Sequence, residues 1–401
     1  MSKDKVVMIG LGYIGLPTAA LISSNKINVH GVDVNPKVVE TINQGKIHIV
    51  EPDLDQLVSR AVKEGYLKAD TKPTVASTYI VVVPTPFKGD KEPDISYVES
   101  ATKSIIPLLK EGDLYIIEST SPIGTTEKMM SLIFEHRPEL EGKIYLAYCP
   151  ERVLPGNVMF ELVNNDRVIG GVNENSTQKA LEFYKQFVNA KLHATNARTA
   201  EMCKLVENSS RDNQIAFANE LSIICDKAGI NVWELIDLAN KHPRVSILQP
   251  GCGVGGHCIA VDPYFITSAF PEESQIIAQS RTTNNYKPQW CVEKIKNAQL
   301  QFELQKGRKP ITAFMGLAFK PNIDDLRESP ALQIASHFSD QKEHSLFVEP
   351  NISKHPDFDL TDIKYAVDHS DIIVFLVAHK ELKKVNLDNE TIAIDFCGIF
   401  A

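Results

Sequence analysis

The stretch VVMIGLGYIGLPTAALI, residues 6–22, changes its periodicity halfway through. Four apolar residues, 6–9, suit a strand buried on both faces, and the apolar residues after Gly15 recur at helical spacing. Between them Gly10, Gly12 and Gly15 keep the spacing G-x-G-x-x-G, with Tyr13 and Ile14 inside the turn. The three glycines answer three needs: a tight turn, close approach of a ligand to the backbone, and close packing of helix on strand. The first amides of the helix have no intrahelical partner, and they suit a pyrophosphate. The next strand-like run, 28–32, leads into Asp33, about 20 residues beyond the motif, where a carboxylate receives an adenosine ribose diol. An acid there accepts from a 2′-hydroxyl and repels a 2′-phosphate, and no arginine adjoins it. The expected cofactor is therefore NAD, held at Gly10, Gly12, Tyr13, Ile14, Gly15 and Asp33.

Outward from this stretch, residues 79–83, 114–118 and 144–148 read as further strands, with helical patterns at 16–23, 53–64 and 96–109 between them. The pattern predicts a parallel, doubly wound domain closing near residues 170–188. Two strand ends carry hydroxyls toward the expected crevice: Thr85 in VVPTP, and Thr120 with the helix entry at Thr126 in ESTSPIGTTE. Capping or turn chemistry explains these threonines equally well from spacing alone. Residues 197–228 form one helical stretch without proline or internal glycine, stopped by Gly229. VWELIDLANKH adds another helix, and 273–299 is largely helical with an expected interruption at Pro288. After the linker QKGRKP, strand patterns return at 311–315, 345–348, 372–377 and 391–395. The expected fold class is α/β: two Rossmann-like α/β domains joined by a central helical region with one long helix. The expected domains are 1–190, 191–304 and 305–401.

Composition narrows the function. With 42 Lys+Arg against 51 Asp+Glu, the net charge of −9 argues against nucleic acid or an anionic membrane as the main partner. No apolar run is long enough to span a bilayer, and no signal segment precedes the first strand, so a cytoplasmic protein is expected. Seven scattered cysteines, an odd number, do not look like a secreted disulfide framework.

In TAEMCKLVENSSRDNQIAFANE, residues 199–220, Glu201, Lys204, Asn208 and Arg211 fall at i, i+3, i+7 and i+10, along one helix face. A solvated face laced with ion pairs is the plain reading. The helix continues as IAFANELSII, too apolar for an exposed rod, so a cleft-facing helix is expected. A lysine there can hold an anion or move a proton, with the Asn208 amide beside it.

The segment PGCGVGGHCIAVDP, residues 250–263, gathers four glycines, two cysteines and a histidine. A metal on Cys252, His257 and Cys258 is disfavoured, because adjacent His–Cys ligation is sterically awkward and no C-x-x-C pair completes the set. A Cys252–Cys258 disulfide does not suit a reducing compartment. Four glycines strip side chains from the loop, which points to a ligand laid over a thiol.

Behind the glycine fingerprint, VPTP, STSPIG, CPERVLPG, EMCKLVEN, GVGGHCIAVDP and GLAFKPNIDDLRESP follow one another in an order that resembles the nucleotide-sugar 6-dehydrogenases, the UDP-glucose and GDP-mannose dehydrogenase family. The likeness covers essentially the whole chain. TAEMCKLVEN, HPRVSILQPG, CIAVDP and AFKPNIDDLRESP look most like the branch that oxidises UDP-N-acetylmannosamine. The resemblance implies a four-electron oxidation of a UDP-sugar at C6 through a thiohemiacetal and a thioester on Cys258. It makes Lys204 and Asn208 oxyanion stabilisers, Glu151 a water activator and Asp262 a positioning acid. It assigns Arg152, Val153, Lys204, Asn208, Arg211, His242, Arg244, Gly255, Phe319 and Lys320 to the substrate. Arg327 would lie near the cofactor or diphosphate, and Arg244 would reach across a homodimer. No metal is implied, and Cys252 and His257 become packing neighbours of the thiol.

Two departures from the family pattern stand out. Ala260–Val261–Asp262 replaces the commoner P-K-D, which moves the substrate toward acetamido sugars, and the chain stops at DFCGIFA without the basic residue often found there. The alternatives are the same chemistry on UDP-N-acetylglucosamine or UDP-glucose, and a non-catalytic nucleotide-sugar binding protein. Retention of Cys258, Lys204, Asn208 and Asp262 together disfavours the last, since binding needs no thiol.

Overall fold

The computed structural model describes residues 5–89, 91–153, 156–256, 258–341 and 343–401. Two compact units divide the chain, Met1–Val206 and Glu207–Ala401. The first runs β1 (Lys5–Ile9), α1 (Gly15–Ser24), β2 (Asn28–Val32), α2 (Pro36–Asn43), α3 (Leu54–Lys63), β3 (Leu67–Asp70), β4 (Thr78–Val81), a small hairpin of β5 (Phe87–Lys88) and β6 (Glu92–Pro93), and α4 (Ser96–Ile105). It continues through β7 (Leu114–Ile117), α5 (Thr125–His136), β8 (Tyr145–Tyr148), α6 (Val158–Asn164), β9 (Arg167–Gly171), α7 (Glu174–Tyr184) and β10 (Leu192–Asn196).

Apart from the β5–β6 hairpin, which stands by itself, these strands form one sheet in the order β3-β2-β1-β4-β7-β8-β9-β10. Strand β1 shows why both faces are covered. Val6 and Met8 pack with Leu16 and Ala19 of α1 and Leu54 and Val58 of α3. Val7 and Ile9 pack on the other side with Val98 and Ala101 of α4 and Met129 and Ile133 of α5. Alternate residues thus serve opposite layers, as the period of a strand requires. The chain order reverses between β1 and β4, and ligands of such sheets bind outside the strand ends at that point.

The all-parallel expectation needs correction, because β9 pairs antiparallel to β8 and β10 runs parallel to β9. The sheet closes at β10 rather than within 170–188. Strands β3, β9 and β10 read LKAD, RVIGG and LHATN, without the continuous apolar run that marks β1, β4, β7 and β8. The helix expected over 96–109 ends at Ile105 and tightens into a 3₁₀ turn, Ile106–Leu108, because Pro107 cannot continue the ladder.

Helix α8 (Ala197–Ala228) begins in the first unit and runs into the second, and Gly229, at φ +67°, stops it. Then come α9 (Val232–Ala239), α10 (Asp262–Ala269), α11 (Gln275–Lys306), β11 (Thr312–Met315), α12 (Pro330–Ser336), β12 (Ser345–Val348), α13 (Ile363–His369), β13 (Ile372–Phe375) and β14 (Ile392–Asp395). Among the described residues there are two long helices instead of one, since α8 and α11 each span 32 residues. The expected break at Pro288 does not occur. Arg281, Asn284, Lys287, Pro288, Cys291, Val292 and Ile295 form one buried stripe, so packing on both sides carries the helix through the lost hydrogen bond. The second sheet, β12-β11-β13-β14, is wholly parallel. Phe314 anchors one of its faces, with ring centroids 4.9 Å from Phe338 and 5.4 Å from Phe347.

Candidate active site

The glycine turn between β1 and α1 is built as its sequence demands. Gly10 has φ +96°, and a Cβ there would lie 2.0 Å from the Val82 carbonyl oxygen; one on Gly15 would lie 1.9 Å from the carbonyl oxygen of Gly10. Gly12 differs, because a Cβ there would meet nothing within 4 Å. The fold itself needs the first and third glycines, and the bareness of the second leaves room for a ligand. No side chain caps α1 and no acid occupies its first turn. Asp33, half-buried, accepts from the Leu11 amide at 3.2 Å and the Asn35 amide at 2.9 Å, so its carboxylate is fixed beside the turn. These residues fit a dinucleotide. Tyr13 is exposed, Ile14 and Thr85 are half-buried, and Thr85 lies just beyond β4, across the chain reversal.

Thr120 is half-buried beyond β7, whereas Thr126 is wholly buried. The Thr126 hydroxyl and amide donate to Glu201 at 2.7 and 2.8 Å, and the Gly124 amide donates to the same carboxylate at 2.6 Å. Glu201 therefore caps α5 from α8, and it leaves the polar stripe as a buried residue rather than a solvated one. Burial raises its pKa, and the three donors oppose that rise. Lys204 and Asn208, both half-buried, and Arg211, exposed, continue the stripe along α8.

Glu151 and Arg152 follow β8. Glu151 accepts from the Arg152 amide at 2.7 Å and faces the buried guanidinium of Arg167 at 3.3 Å. Arg167 is shared with Glu118, 3.9 Å away, whose carboxylate also accepts from the Tyr184 hydroxyl at 2.5 Å. Burial, opposed by Arg167 and the Tyr184 hydroxyl and reinforced by the Glu151 charge, leaves the Glu118 pKa raised to about 7. Glu118 and Arg167 were not singled out from sequence. ESTSPIG drew attention to its threonine, and nothing local links residue 118 to residue 167. Val153 packs against the core beneath this turn.

The thiol loop hangs from helix α8. The carbonyl of Cys258 accepts the amides of Asp262 at 2.8 Å and Val261 at 3.0 Å, so the chain turns straight from the thiol into α10. Asp262, 3% exposed, accepts from the Asn208 side-chain amide at 2.5 Å. At the other end the Gly251 amide donates to Asn219 at 2.9 Å, and Asn219 donates to Asn284 at 2.9 Å. Asn284 donates in turn to Asp212, which is paired with Arg281 at 2.6 Å. This buried relay also escaped sequence reasoning. Its only signal was Asn219 set within the apolar run IAFANELSII.

The room left by the glycines is put to a different use from the one expected. A Cβ on Gly255 would lie 2.5 Å from the Glu328 carbonyl oxygen and 2.7 Å from Phe319 Cβ, and one on Gly256 would lie 3.0 Å from the Phe319 ring. Gly253 sits a little less closely, a Cβ there lying 3.1 Å from the Asn284 carbonyl oxygen and 3.2 Å from Pro288 and Pro330. The protein's own loop 319–330 crosses these glycines, where a ligand was expected to lie, and the Gly256 amide donates to the Arg327 carbonyl at 3.0 Å. Phe319 is half-buried and Lys320 exposed, and the Arg327 side chain pairs with Asp325 at 2.6 Å. His242 and Arg244 are exposed beyond α9. Cys252 is buried, its thiol donating to the Leu376 carbonyl at 3.4 Å and its pKa pushed well up, first by its neighbour Cys291 and then by burial. His257 lies outside the described residues.

Compared with known protein families, residues 4–188 match the NAD binding domain of the UDP-glucose/GDP-mannose dehydrogenase family, 198–286 its central domain and 313–400 its UDP binding domain. The chain belongs to the UDP-glucose/GDP-mannose dehydrogenase family. It is 54% identical to the UDP-N-acetyl-D-mannosamine dehydrogenase of Yersinia pestis over 96% of each chain. It is 49% identical to the NDP-N-acetyl-D-galactosaminuronic acid dehydrogenase of Ralstonia solanacearum, over 99% of this chain and 96% of that protein. The solved UDP-D-ManNAc dehydrogenase of Pyrococcus horikoshii superposes with a TM-score of 0.87 at 38% identity, covering 98% of this chain and 96% of that one. This family member is an NAD-dependent nucleotide-sugar dehydrogenase with a UDP binding domain. Among the described residues, no helix is long and apolar enough to cross a membrane.

Proposed function

We propose that the chain oxidises UDP-N-acetyl-D-mannosamine at C6 to the uronate, consuming two NAD for each sugar. The observation that carries this reading is the turn holding Cys258 four residues before Asp262, with Asp262 bonded by Asn208, in a chain 54% identical to a relative of that name. When bound, NAD would supply the hydride acceptor for both oxidations; Gly10, Gly12, Tyr13, Ile14, Gly15 and Asp33 would hold it, with Thr85, Thr120 and Arg327 around it, while Thr126, buried and bonded to Glu201, fixes the start of α5. Lys204 takes the O6 proton as the alcohol becomes an aldehyde. The Cys258 thiolate then forms a bond to C6, and the oxyanion of the thiohemiacetal is met by Lys204 and the Asn208 amide. Loss of the second hydride leaves a thioester. Glu151 takes a proton from water as its oxygen bonds to C6, and the Cys258–C6 bond breaks with the thiolate leaving. Asp262 holds Asn208 in place. Arg152, Val153, Arg211, His242 and Arg244 surround the sugar, and Phe319 and Lys320, on the loop that Gly255 seats, hold the uridine diphosphate.

The protein works in the cytoplasm as a homodimer, with Arg244 reaching toward the partner. Support for the dimer comes from the exposed Arg244 and from Phe217 and Ile224, more than half exposed on α8. Light scattering that reports a monomer at assay concentration overturns it. A second reading, the same chemistry on a nucleotide-linked N-acetylgalactosamine, which differs at C2 and C4, is favoured by the 49% identity to the Ralstonia enzyme. A panel of UDP-sugars assayed for NADH and uronate decides between them: two NADH per UDP-N-acetylmannosamine, at the highest kcat/KM of the panel, is expected. One NADH per turnover removes the four-electron chemistry, and preference for another sugar removes the substrate. Cys258→Ser is expected to abolish uronate while NADH still binds, and unchanged turnover would remove the nucleophile.

A further inference from the structure

The second sheet carries a polar cluster that the mechanism does not use. Glu349, the first residue beyond β12, is 4% exposed, and His379, just past β13, is 0% exposed. One Glu349 oxygen accepts the Leu317 amide at 2.7 Å, the Ala318 amide at 3.0 Å and His379 Nε2 at 3.1 Å. The other accepts the Asn351 backbone amide at 2.9 Å and its side-chain amide at 3.1 Å. His379 Nδ1 accepts the Asn322 backbone amide at 3.0 Å, so that nitrogen carries no proton, and Nε2–H donates to the carboxylate. Asn322 is at φ +63°, a conformation that side chains rarely adopt, and its own side chain accepts the Lys380 amide at 2.9 Å.

Leu317, Ala318 and Asn322 bracket Phe319 and Lys320. The chain order of this sheet reverses between β11 and β13, so the cluster stands at the strand ends where ligands of parallel sheets bind. Both ends of one short loop are tied to the same buried pair, one through two backbone amides and the other through Asn322 in a left-handed turn. We propose that Glu349 and His379 are a positioning pair that sets the loop 317–322, so that affinity for the uridine diphosphate end of the substrate depends on two buried side chains. The inference rests on the reading that Phe319 and Lys320 hold that group.

The test measures UDP binding to the full-length protein by calorimetry, with NADH binding as the control for folding of the first unit and steady-state kinetics alongside. His379→Phe keeps the ring but removes both nitrogens, and is expected to weaken UDP roughly ten- to hundredfold. The loss should appear in KM rather than kcat. His379→Asn returns an acceptor near the position of Nδ1 and is expected to recover most of the affinity, which a merely space-filling role would not give. Should the phenylalanine variant lose NADH binding as well, Glu349→Gln, which keeps the shape of the side chain, is judged by the same UDP criterion. Lys320→Ala and Phe319→Ala separate the two ideas. If they lose UDP while His379→Phe and Glu349→Gln bind it as the parent does, the positioning pair is overturned and the loop reading stands. If none of the four loses UDP, the loop reading itself fails and takes the pair with it.

Discussion

The two α/β parts of the chain place an acid at the same point of the same architecture and use it in opposite ways. Asp33 is the first residue beyond β2 and Glu349 the first beyond β12, each at the end of the strand neighbouring β1 or β11, whose following loop it ties down. Each accepts a backbone amide from that loop: Leu11 for Asp33, Leu317 and Ala318 for Glu349. Asp33 is half-exposed with two donors, which leaves lone pairs for a ribose diol. Glu349 is buried with five, which leaves none to spare. The number of donors that the neighbouring chain supplies decides whether such an acid is a ligand site or part of the frame.

Glu118, the first residue beyond β7, completes the comparison. It is as buried as Glu349 but has one hydroxyl donor and half a share of Arg167. Burial raises both carboxyls; His379 and the backbone amides bring Glu349 down to about 2, whereas Glu118 stays raised. Burial alone therefore does not set the charge state, and donors do.

The largest effect is expected from Glu349→Ala, which strands buried amides and should cost about 3 kcal/mol in thermal unfolding. The same group gives a pH signature. Its pKa is depressed, so its contribution is complete above the ordinary carboxylate value near 4.5 and fades as pH falls toward about 2. Glu349→Gln should therefore flatten the acid branch of the stability curve over that window, and an unchanged branch would contradict the donor count. Asp33→Ala is expected to leave Tm within a degree or two while weakening NAD about tenfold and narrowing the preference over NADP. A large drop in Tm would make Asp33 a frame residue after all. The smallest effect is expected from Glu118→Gln. A raised carboxyl costs stability as pH climbs from 4.5 to about 7, because the unfolded chain ionises first. The variant's Tm should thus fall less than the parent's between pH 5 and 8, and parallel curves would show that Glu118 ionises normally.

How much of this was legible depended on how local each cause was. The glycine turn, Asp33 and the limits of α8 follow from residues a few positions apart, and α8 spans 197–228 as its proline-free run dictates. Pro288 misled because propensity yields to a buried stripe that only the folded chain reveals. The antiparallel turn of β9 was invisible, since a strand's period carries no direction. At the site, the glycine-rich loop by itself pointed to a thiol, and the family resemblance singled out Cys258 and Asp262. The relay from Gly251 to Arg281 and the Glu349–His379 pair could not be named, because each joins residues 30 or more positions apart.

The seating of Phe319 and Glu328 over Gly255 and Gly256 has a practical consequence for engineering. The thiol loop and the loop 319–330 interlock with no slack for even one methyl group, so they are a matched pair of castings. A chimaera that takes its sequence up to about residue 300 from one relative and the remainder from another will inherit two halves cast for different moulds. Swaps intended to change sugar preference should therefore carry residues 250–263 and 316–330 together, or leave both in place.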